Sequence, residues 1–443
     1  MLRMAFFSTN RILEFFKMLI QKESLSFFFA GICVILIPLY TKFLPPFVIL
    51  WAISRILETF SNHKDKDNWP EVPRKNLILI ALFLALFFWE AVGLLYSKNL
   101  SNGLNIVFSR LSLLVFPLLF IFPGRRIVNQ GKTLFRLFAG GTTLFIIFCF
   151  LYAAFRSISF IGGQFVFNTH PPEGYWMSYF FSPYFSAIQH PSYMAMFVIL
   201  SIWIVLETIL SEGMKKQQKV MWTLSGVILL TSIYFLSSRA GFIALFISLP
   251  IYILFTVRSR KKILYTGTLL LFLLIGGFLV ARTNERVKIV LEQISNGAFN
   301  EKVASDSRIL IWKSSINIIR NSPLIGVGIG DVRDELMKEY SKTGNEDLLL
   351  SRYNAHNQFL EVSLEGGLIG LAILVLIIGY MTFYAISERN LLYGLFIVLI
   401  FTFFLFESVL YRFAGVSFFS LFSFLLIHNN INKNNKLIDN QNQ

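Results

Sequence analysis

The sequence predicts an all-α, polytopic integral membrane protein of about twelve transmembrane helices. Three observations lead there. Apolar residues make up 55% of the 443 residues, with 49 Phe, more than a soluble domain normally carries. They come in runs long enough to cross the ~30 Å hydrocarbon core of a bilayer. The runs lack the short alternating pattern of a membrane barrel, and lipid offers no hydrogen-bond partner, so each must close its backbone bonds as a helix. They fall at 25–41, 43–60, 76–96, 104–122, 134–155, 191–210, 220–237, 240–257, 262–281, 364–386, 391–408 and 411–427.

Basic residues in the short loops set the orientation. One set of loops and ends holds Arg3, Arg11, Lys17, Lys22, Lys64, Lys66, Arg74, Lys75, Arg125, Arg126, Lys132, Lys215, Lys216, Lys219, Arg258, Arg260, Lys261, Lys262, Arg389, Lys433 and Lys436. The alternate short loops offer Lys42, Lys98, Arg156, Arg239 and Arg412. Both termini are therefore expected in the cytoplasm and residues 282–357 outside. The net charge of +15 is largely this bias, and it points to anionic membrane lipids rather than nucleic acid. The expected layout is a cytoplasmic amphipathic lead-in (1–24), nine spans (25–281), an external loop domain (282–357), three more spans (358–427) and a disordered cytoplasmic tail (428–443). The basic N-terminus leads into a span without a small-residue cleavage site, so no cleaved signal peptide is expected. Cys33 and Cys149 lie inside spans and read as packing residues.

Ionisable residues within apolar runs need a reason to be there. Arg55 and Glu58 read as a pair snorkelling to the interface. Glu90 and Arg110 read either as a structural pairing or as the lining of a polar cavity. Asp65-Lys66-Asp67 has the spacing of a cation-binding triplet, but its charged linker favours plain solvated charge. The segment 156–190 carries Phe160, Phe165, Phe167, Tyr175, Trp176, Tyr179, Phe180, Phe181, Tyr184 and Phe185, either an interfacial belt or a lid over a lipid-linked substrate. It ends at His190-Pro191, where His190 caps the next helix or reaches substrate. Ser237-Ser238-Arg239-Ala240-Gly241 forms a whole external turn, with a guanidinium at the membrane boundary.

The external segment is the sizeable polar region, too long for a mere connector. Arg308 opens a helical pattern in which Ile309, Trp312 and Ile316 share a face. Pro323 ends it, and Gly326, Gly328 and Gly330 let the backbone turn tightly and approach a neighbour closely. This glycine spacing is not a dinucleotide fingerprint. His356 stands before the run that re-enters the membrane. Neither paired histidines nor cysteines suggest a metal site, and no serine has a nucleophile-elbow setting. Arginines facing an amphipathic cavity suit a phosphate or diphosphate, whose oxygens a guanidinium binds bidentately. A histidine beside them suits proton abstraction. Together they describe transfer of a group from a diphosphate to a hydroxyl, with a lipid-linked donor because no nucleotide supply exists outside the cytoplasm.

Three stretches carry a family resemblance. They are Ser238-Arg239-Ala240-Gly241; Ser307-Arg308 through Trp312 to Pro323-Leu324-Ile325-Gly326-Val327-Gly328; and Ala355-His356-Asn357-Gln358-Phe359-Leu360-Glu361 followed by Glu365-Gly366-Gly367-Leu368-Ile369-Gly370. Their order, with the twelve spans and the large loop before the tenth, resembles the O-antigen ligase and O-antigen polymerase superfamily. The likeness is specific over about 235–375 and architectural elsewhere. It implies a metal-independent, cofactor-free, inverting glycosyltransferase of the bacterial inner membrane with its active site facing the periplasm. The implied donor is an undecaprenyl-diphosphate-linked glycan. The acceptor is the sugar of lipid A–core for a ligase, or a second lipid-linked repeat for a polymerase, and ligase is the reading taken. The motifs map the essential residues onto Arg239, Arg308 and His356, with His190, Arg320, Arg352 and Asn357 expected at the substrate. A transporter of lipid-linked glycan is the lower alternative; it predicts an internal repeat of broken helices that this sequence does not display.

Overall fold

The computed structural model describes residues 23–61, 74–170, 178–257, 264, 267, 307–344 and 346–428. The lead-in, the Asp65-Lys66-Asp67 linker, nearly all of the expected ninth span and the tail beyond His428 lie outside the described residues. The chain is helical almost throughout, and it is an integral membrane protein. Eight of the described spans, with residues 100–119 taken as one, are long and apolar enough to cross a membrane, and three shorter apolar helices accompany them. In order the described helices are α1 (Ser24–Leu39), α2 (Leu44–Ser61), α3 (Arg74–Val92), α4 (Leu100–Ser109), α5 (Ser112–Leu119), α6 (Arg125–Asn129) and α7 (Gly131–Arg156). A hairpin of β1 (Ile158–Ile161) and β2 (Gln164–Phe167) follows, then α8 (Ser182–Ser186), α9 (Pro191–Leu210), α10 (Lys216–Leu236) and α11 (Arg239–Thr256). The remainder is α12 (Ser307–Asn321), α13 (Val332–Thr343), α14 (Glu346–Ser351), α15 (Gln358–Ser387), α16 (Leu391–Phe406) and α17 (Phe413–His428). Among the described residues each expected run is helical, the fourth as two helices; the ninth lies almost wholly outside them. The two-stranded hairpin is an addition the sequence reading lacked.

The chain divides into two compact units: Met1–Ala81 with Ser112–Ser237 and Ser417–Gln443, and Leu82–Leu111 with Ser238–Val416. In the first, α9 is central, with Met194 through Leu200 fully buried, and it packs on α7 and α10. Polar bonds tie this bundle together where apolar contact alone would not fix register. Arg55 and Glu58 do not snorkel: both are buried and bonded to each other at 2.9 Å. The start of α1 has backbone donors without helical acceptors, and the Glu58 carboxylate accepts one, from Ser26 N at 2.9 Å. Arg55 in turn donates to the Phe122 carbonyl at 2.7 and 3.1 Å. Cys33 and Cys149 are buried and unbridged.

The second unit corrects one expectation and adds one finding. The fourth run is not one helix: α4 stops at Ser109, Arg110 leaves helical geometry (φ −97°, ψ 4°), and α5 restarts at Ser112. The cause is the Arg110 guanidinium, fully buried and spent on the Glu90 carboxylate at 2.8 Å, both Glu365 oxygens at 2.7 and 2.6 Å and the Leu410 carbonyl at 3.0 Å. Of the two readings left open, the pairing is what the geometry displays. The added finding is which face of α12 packs. Ile311, Ser314, Ser315 and Ile318 are buried, whereas Ile309 and Ile316 are exposed. Ile311 and Ile318 join Val332, Leu336, Tyr340, Leu348, Ala355 and Leu364 in a small core, so residues 307–355 complete their core with a residue of α15.

α15 itself is broken. Gly367 has φ +63° and ψ −160° inside it, and the loop after α12 fits into the break. Val327 N bonds to the Leu364 carbonyl at 2.8 Å, Leu368 N to the Pro323 carbonyl at 2.8 Å, and Trp89 Nε1 donates to the Gly366 carbonyl at 2.8 Å. A side chain on Gly326 would strike the Leu364 carbonyl, and one on Gly367 the Leu324 carbonyl. The close approach that the glycines permit is therefore to the protein's own backbone.

Arg110→Met should strand two buried carboxylates and lower unfolding stability by about 3–5 kcal/mol. Adding Glu90→Gln and Glu365→Gln should recover most of that loss. Denaturant unfolding of the purified protein in detergent measures both; an Arg110→Met variant as stable as wild type would refute the structural reading of this cluster.

Candidate active site

His356 sits between two anchored neighbours. Ala355 N donates to Glu361 Oε2 at 2.9 Å. Asn357 is the N-cap of α15, accepting from Phe359 N at 2.9 Å and Leu360 N at 3.1 Å, which satisfies two of the donors a helix start exposes. Squeezed between these anchors, His356 adopts φ +45°. That left-handed region costs a β-carbon-bearing residue roughly 1–2 kcal/mol. Strain of this kind persists where the surroundings impose it, and it concentrates at functional sites. The result is an imidazole turned out of the helix line, its ring 5.5 Å from that of Tyr353.

The imidazole meets a residue that the sequence reading did not single out. His356 Nδ1 lies 3.3 Å from Glu407 Oε2, and the other oxygen of the same carboxylate lies 3.6 Å from Arg308 NH2. Glu407 caps the C-terminal end of α16. All three side chains are partly open, at 23%, 12% and 25% for Arg308, Glu407 and His356, so a substrate can reach them. A carboxylate facing Nδ1 makes that nitrogen the donor and leaves Nε2 as the acceptor. The sequence signal for Glu407 was an acid closing the apolar run Phe403-Phe404-Leu405-Phe406; its partners are too distant in the chain for spacing to reveal.

Three links hold the strip 405–410 against the start of α15. Asn357 Nδ2 donates to the Leu405 carbonyl at 3.2 Å, Ser408 Oγ to Glu361 Oε2 at 3.0 Å and Leu410 N to Gln358 Oε1 at 2.6 Å. One oxygen of Glu361 thus holds both the residue before His356 and the residue after Glu407. Arg308 is tied to the same frame, because Trp312 Nε1, one turn along α12, donates to the Ala355 carbonyl at 3.1 Å. Behind it, burial, with the nearby Glu361 charge, holds the Tyr340 phenol well above its usual pKa. It stays neutral and donates to the Tyr353 carbonyl at 3.3 Å.

The other expected residues fare differently. Arg239 is exposed in the same unit and opens α11, whose N-cap Ser238 accepts from Gly241 N at 3.2 Å; α11 packs along α16. Arg320 is exposed and stands twelve residues along α12 from Arg308, about 18 Å on a straight helix, so it does not join the cluster. Arg352 is exposed with φ +50° and, with Arg333, Asn354 and Glu361, lines a small cavity. The amide of Asn357 is committed to capping and to Leu405, so it builds the site rather than facing outward. His190 belongs to the first unit, where it occupies the N-cap position of α9 without a side-chain cap bond, its ring 5.8 Å from that of Tyr193.

Glu361→Gln can keep both bonds through its amide oxygen, whereas Glu361→Ala leaves two donors without an acceptor. Each such loss costs about 1–3 kcal/mol, so Ala should destabilise the protein by a few kcal/mol and Gln by much less. Thermal unfolding in detergent distinguishes them, and equal melting of the two variants would refute the clamp.

Residues 224–375 match the family model described as O-antigen ligase. That stretch holds Arg239, Arg308 and His356 and leaves out His190 and Glu407. The chain is also 32% identical over 84 residues to the exopolysaccharide production protein ExoQ of Rhizobium meliloti (strain 1021). The match covers 18% of this chain and 19% of that protein, so it spans about a fifth of its relative's length. Through residues 224–375 the chain is similar to the O-antigen ligases, within the O-antigen ligase and polymerase superfamily whose motifs its sequence carries.

Proposed function

We propose that this protein is a membrane-embedded inverting glycosyltransferase of the O-antigen ligase type, transferring a glycan from an undecaprenyl diphosphate to a sugar hydroxyl of lipid A–core. The observation that carries the reading is the Arg308–Glu407–His356 line, partly open and rigidly framed. His356 Nε2 takes the proton of the acceptor hydroxyl, its ring held by Glu407 through Nδ1. The acceptor oxygen forms the new bond to the anomeric carbon as the bond to the diphosphate oxygen breaks, with inversion. Arg308 and Arg239 stabilise charge on the departing diphosphate, so protonation of the leaving group and a divalent metal are both unnecessary. The active site faces the periplasm, and both termini are cytoplasmic.

A second reading is supported by the similarity to a protein named for exopolysaccharide production. In it the same chemistry joins one lipid-linked repeat to another, making the protein a polymerase. The glycan profile of a deletion strain separates the two. Free lipid-linked polymer with bare core supports ligase, and core capped by a single repeat supports polymerase.

His356→Ala should reduce transfer by about 10²–10⁴-fold, the usual range for loss of a general base, with donor binding retained. Glu407→Gln should reduce transfer while leaving the fold intact, and Arg308→Lys should lose the planar fork that binds phosphate. The assay is transfer by purified protein in lipid without added metal. Activity of His356→Ala within a few-fold of wild type removes the base, and a strict need for added metal removes the mechanism. Orientation has its own check: single cysteines at Gly344 and Lys216, in a background lacking Cys33 and Cys149, are probed with an impermeant thiol reagent. Residue 344 should label in intact spheroplasts; labelling at 216 alone would invert the topology.

A further inference from the structure

We propose that the groove beside Arg156, in the first unit, is a binding site for one membrane phospholipid whose phosphate is held by the Arg156 guanidinium. Arg156 is the last residue of α7. Its guanidinium carbon lies 4.3 Å from the ring centre of Tyr179, 5.6 Å from that of Tyr152 and 5.9 Å from that of Tyr184. Among the described residues no carboxylate is paired with it. Stacking on ring faces uses the flat side of the guanidinium and leaves its in-plane N–H fork without a carboxylate among the described residues. That fork is shaped for phosphate oxygens.

The cage opens on a groove of about 680 Å³ lined by Phe148, Tyr152, Pro183, Tyr184, Ala187 and Ile188, a volume within the roughly 300–1,000 Å³ range of small-molecule sites. Its chemistry is split. The cation sits at one end, and down α7 the stacked rings of Phe148 and Tyr152 (5.7 Å, 13°) continue into exposed Leu144, Leu151 and Phe155. A ligand that satisfies both ends carries a phosphate on a hydrocarbon chain. The wall is strained as well: Ser182 and Ala187, at either end of α8, have φ of +52° and +54°, and such strain gathers at ligand clamps. The adjoining hairpin exposes Phe160, Phe165 and Phe167, apolar surface suited to the bilayer interface. One guanidinium matches the single charge of a phosphodiester. The diphosphate of a glycan donor calls for more cation than this groove presents, which selects an ordinary phospholipid over the donor.

Delipidated full-length protein in mild detergent, titrated with phosphatidylglycerol and read by native mass spectrometry, tests this independently of glycan transfer. Wild type should retain one lipid. Arg156→Gln should weaken retention about tenfold, as expected for loss of a charge-assisted bond. Tyr179→Leu, which keeps the charge, should weaken it about threefold, and it reads the same site should Arg156→Gln fail to fold. Unchanged affinity in a folded Arg156→Gln or in Tyr179→Leu overturns the proposal. So does a wild-type protein that binds polyprenyl diphosphate here in preference to phosphatidylglycerol.

Discussion

The second unit depends on one buried ion cluster. In a low-dielectric interior an arginine is tolerable only when its donors are almost all matched and its charge is answered. Arg110 meets that condition through Glu90, both oxygens of Glu365 and the Leu410 carbonyl. The bonds reach α3, the first half of α15 and the strip after α16, so one guanidinium fixes three elements that hydrophobic packing alone would leave free to slide. Glu361 lies one turn before Glu365 on α15. The clamp on the His356 and Glu407 neighbourhoods is therefore referenced to the same buried charge.

The broken helix has a related logic. Freed carbonyls at membrane depth are acceptable only where protein satisfies them, and here Val327 N and Trp89 Nε1 do so. The same loop carries Asp331, whose carboxylate accepts from Lys98 N at 2.8 Å and Asn99 N at 2.7 Å. Gly330 passes so close to the Asn99 carbonyl that a side chain would collide with it. The glycine-rich motif is thus a fastening between the 307–355 segment and residues 97–102. Its contribution is to hold α12, and with it Arg308, against the start of α15.

Hydropathy made the spans legible because a bilayer imposes a length and an apolar composition that few other constraints resemble. The pairing of His356 with Arg308 was legible only as two motif residues with suitable chemistry. Their shared partner was not, since Glu407 is 51 residues from His356 in sequence and looks like an interfacial acid at a helix end. Arg55 and Glu58 were misjudged for a like reason: their spacing reveals the pair, but not the Ser26 amide and Phe122 carbonyl that let it be buried. Spacing put Ile309, Trp312 and Ile316 on one face of α12 but could not say which face packs, and the structure leaves Ile309 and Ile316 exposed. Arg320 shares a helix with Arg308, yet the rise of that helix carries it away.

The sequence separation within the Arg110 cluster bears on biogenesis. Glu90 and Arg110 leave the ribosome within twenty residues of each other, so the nascent α3–α4 hairpin can enter the bilayer as a neutral pair. Glu365 arrives 255 residues later, with the bond from Trp89 spanning 277. Contacts of such long range close slowly. Until Glu365 arrives, Arg110 has only one of its two carboxylate partners, so the buried charge cluster of this unit is completed late in the chain.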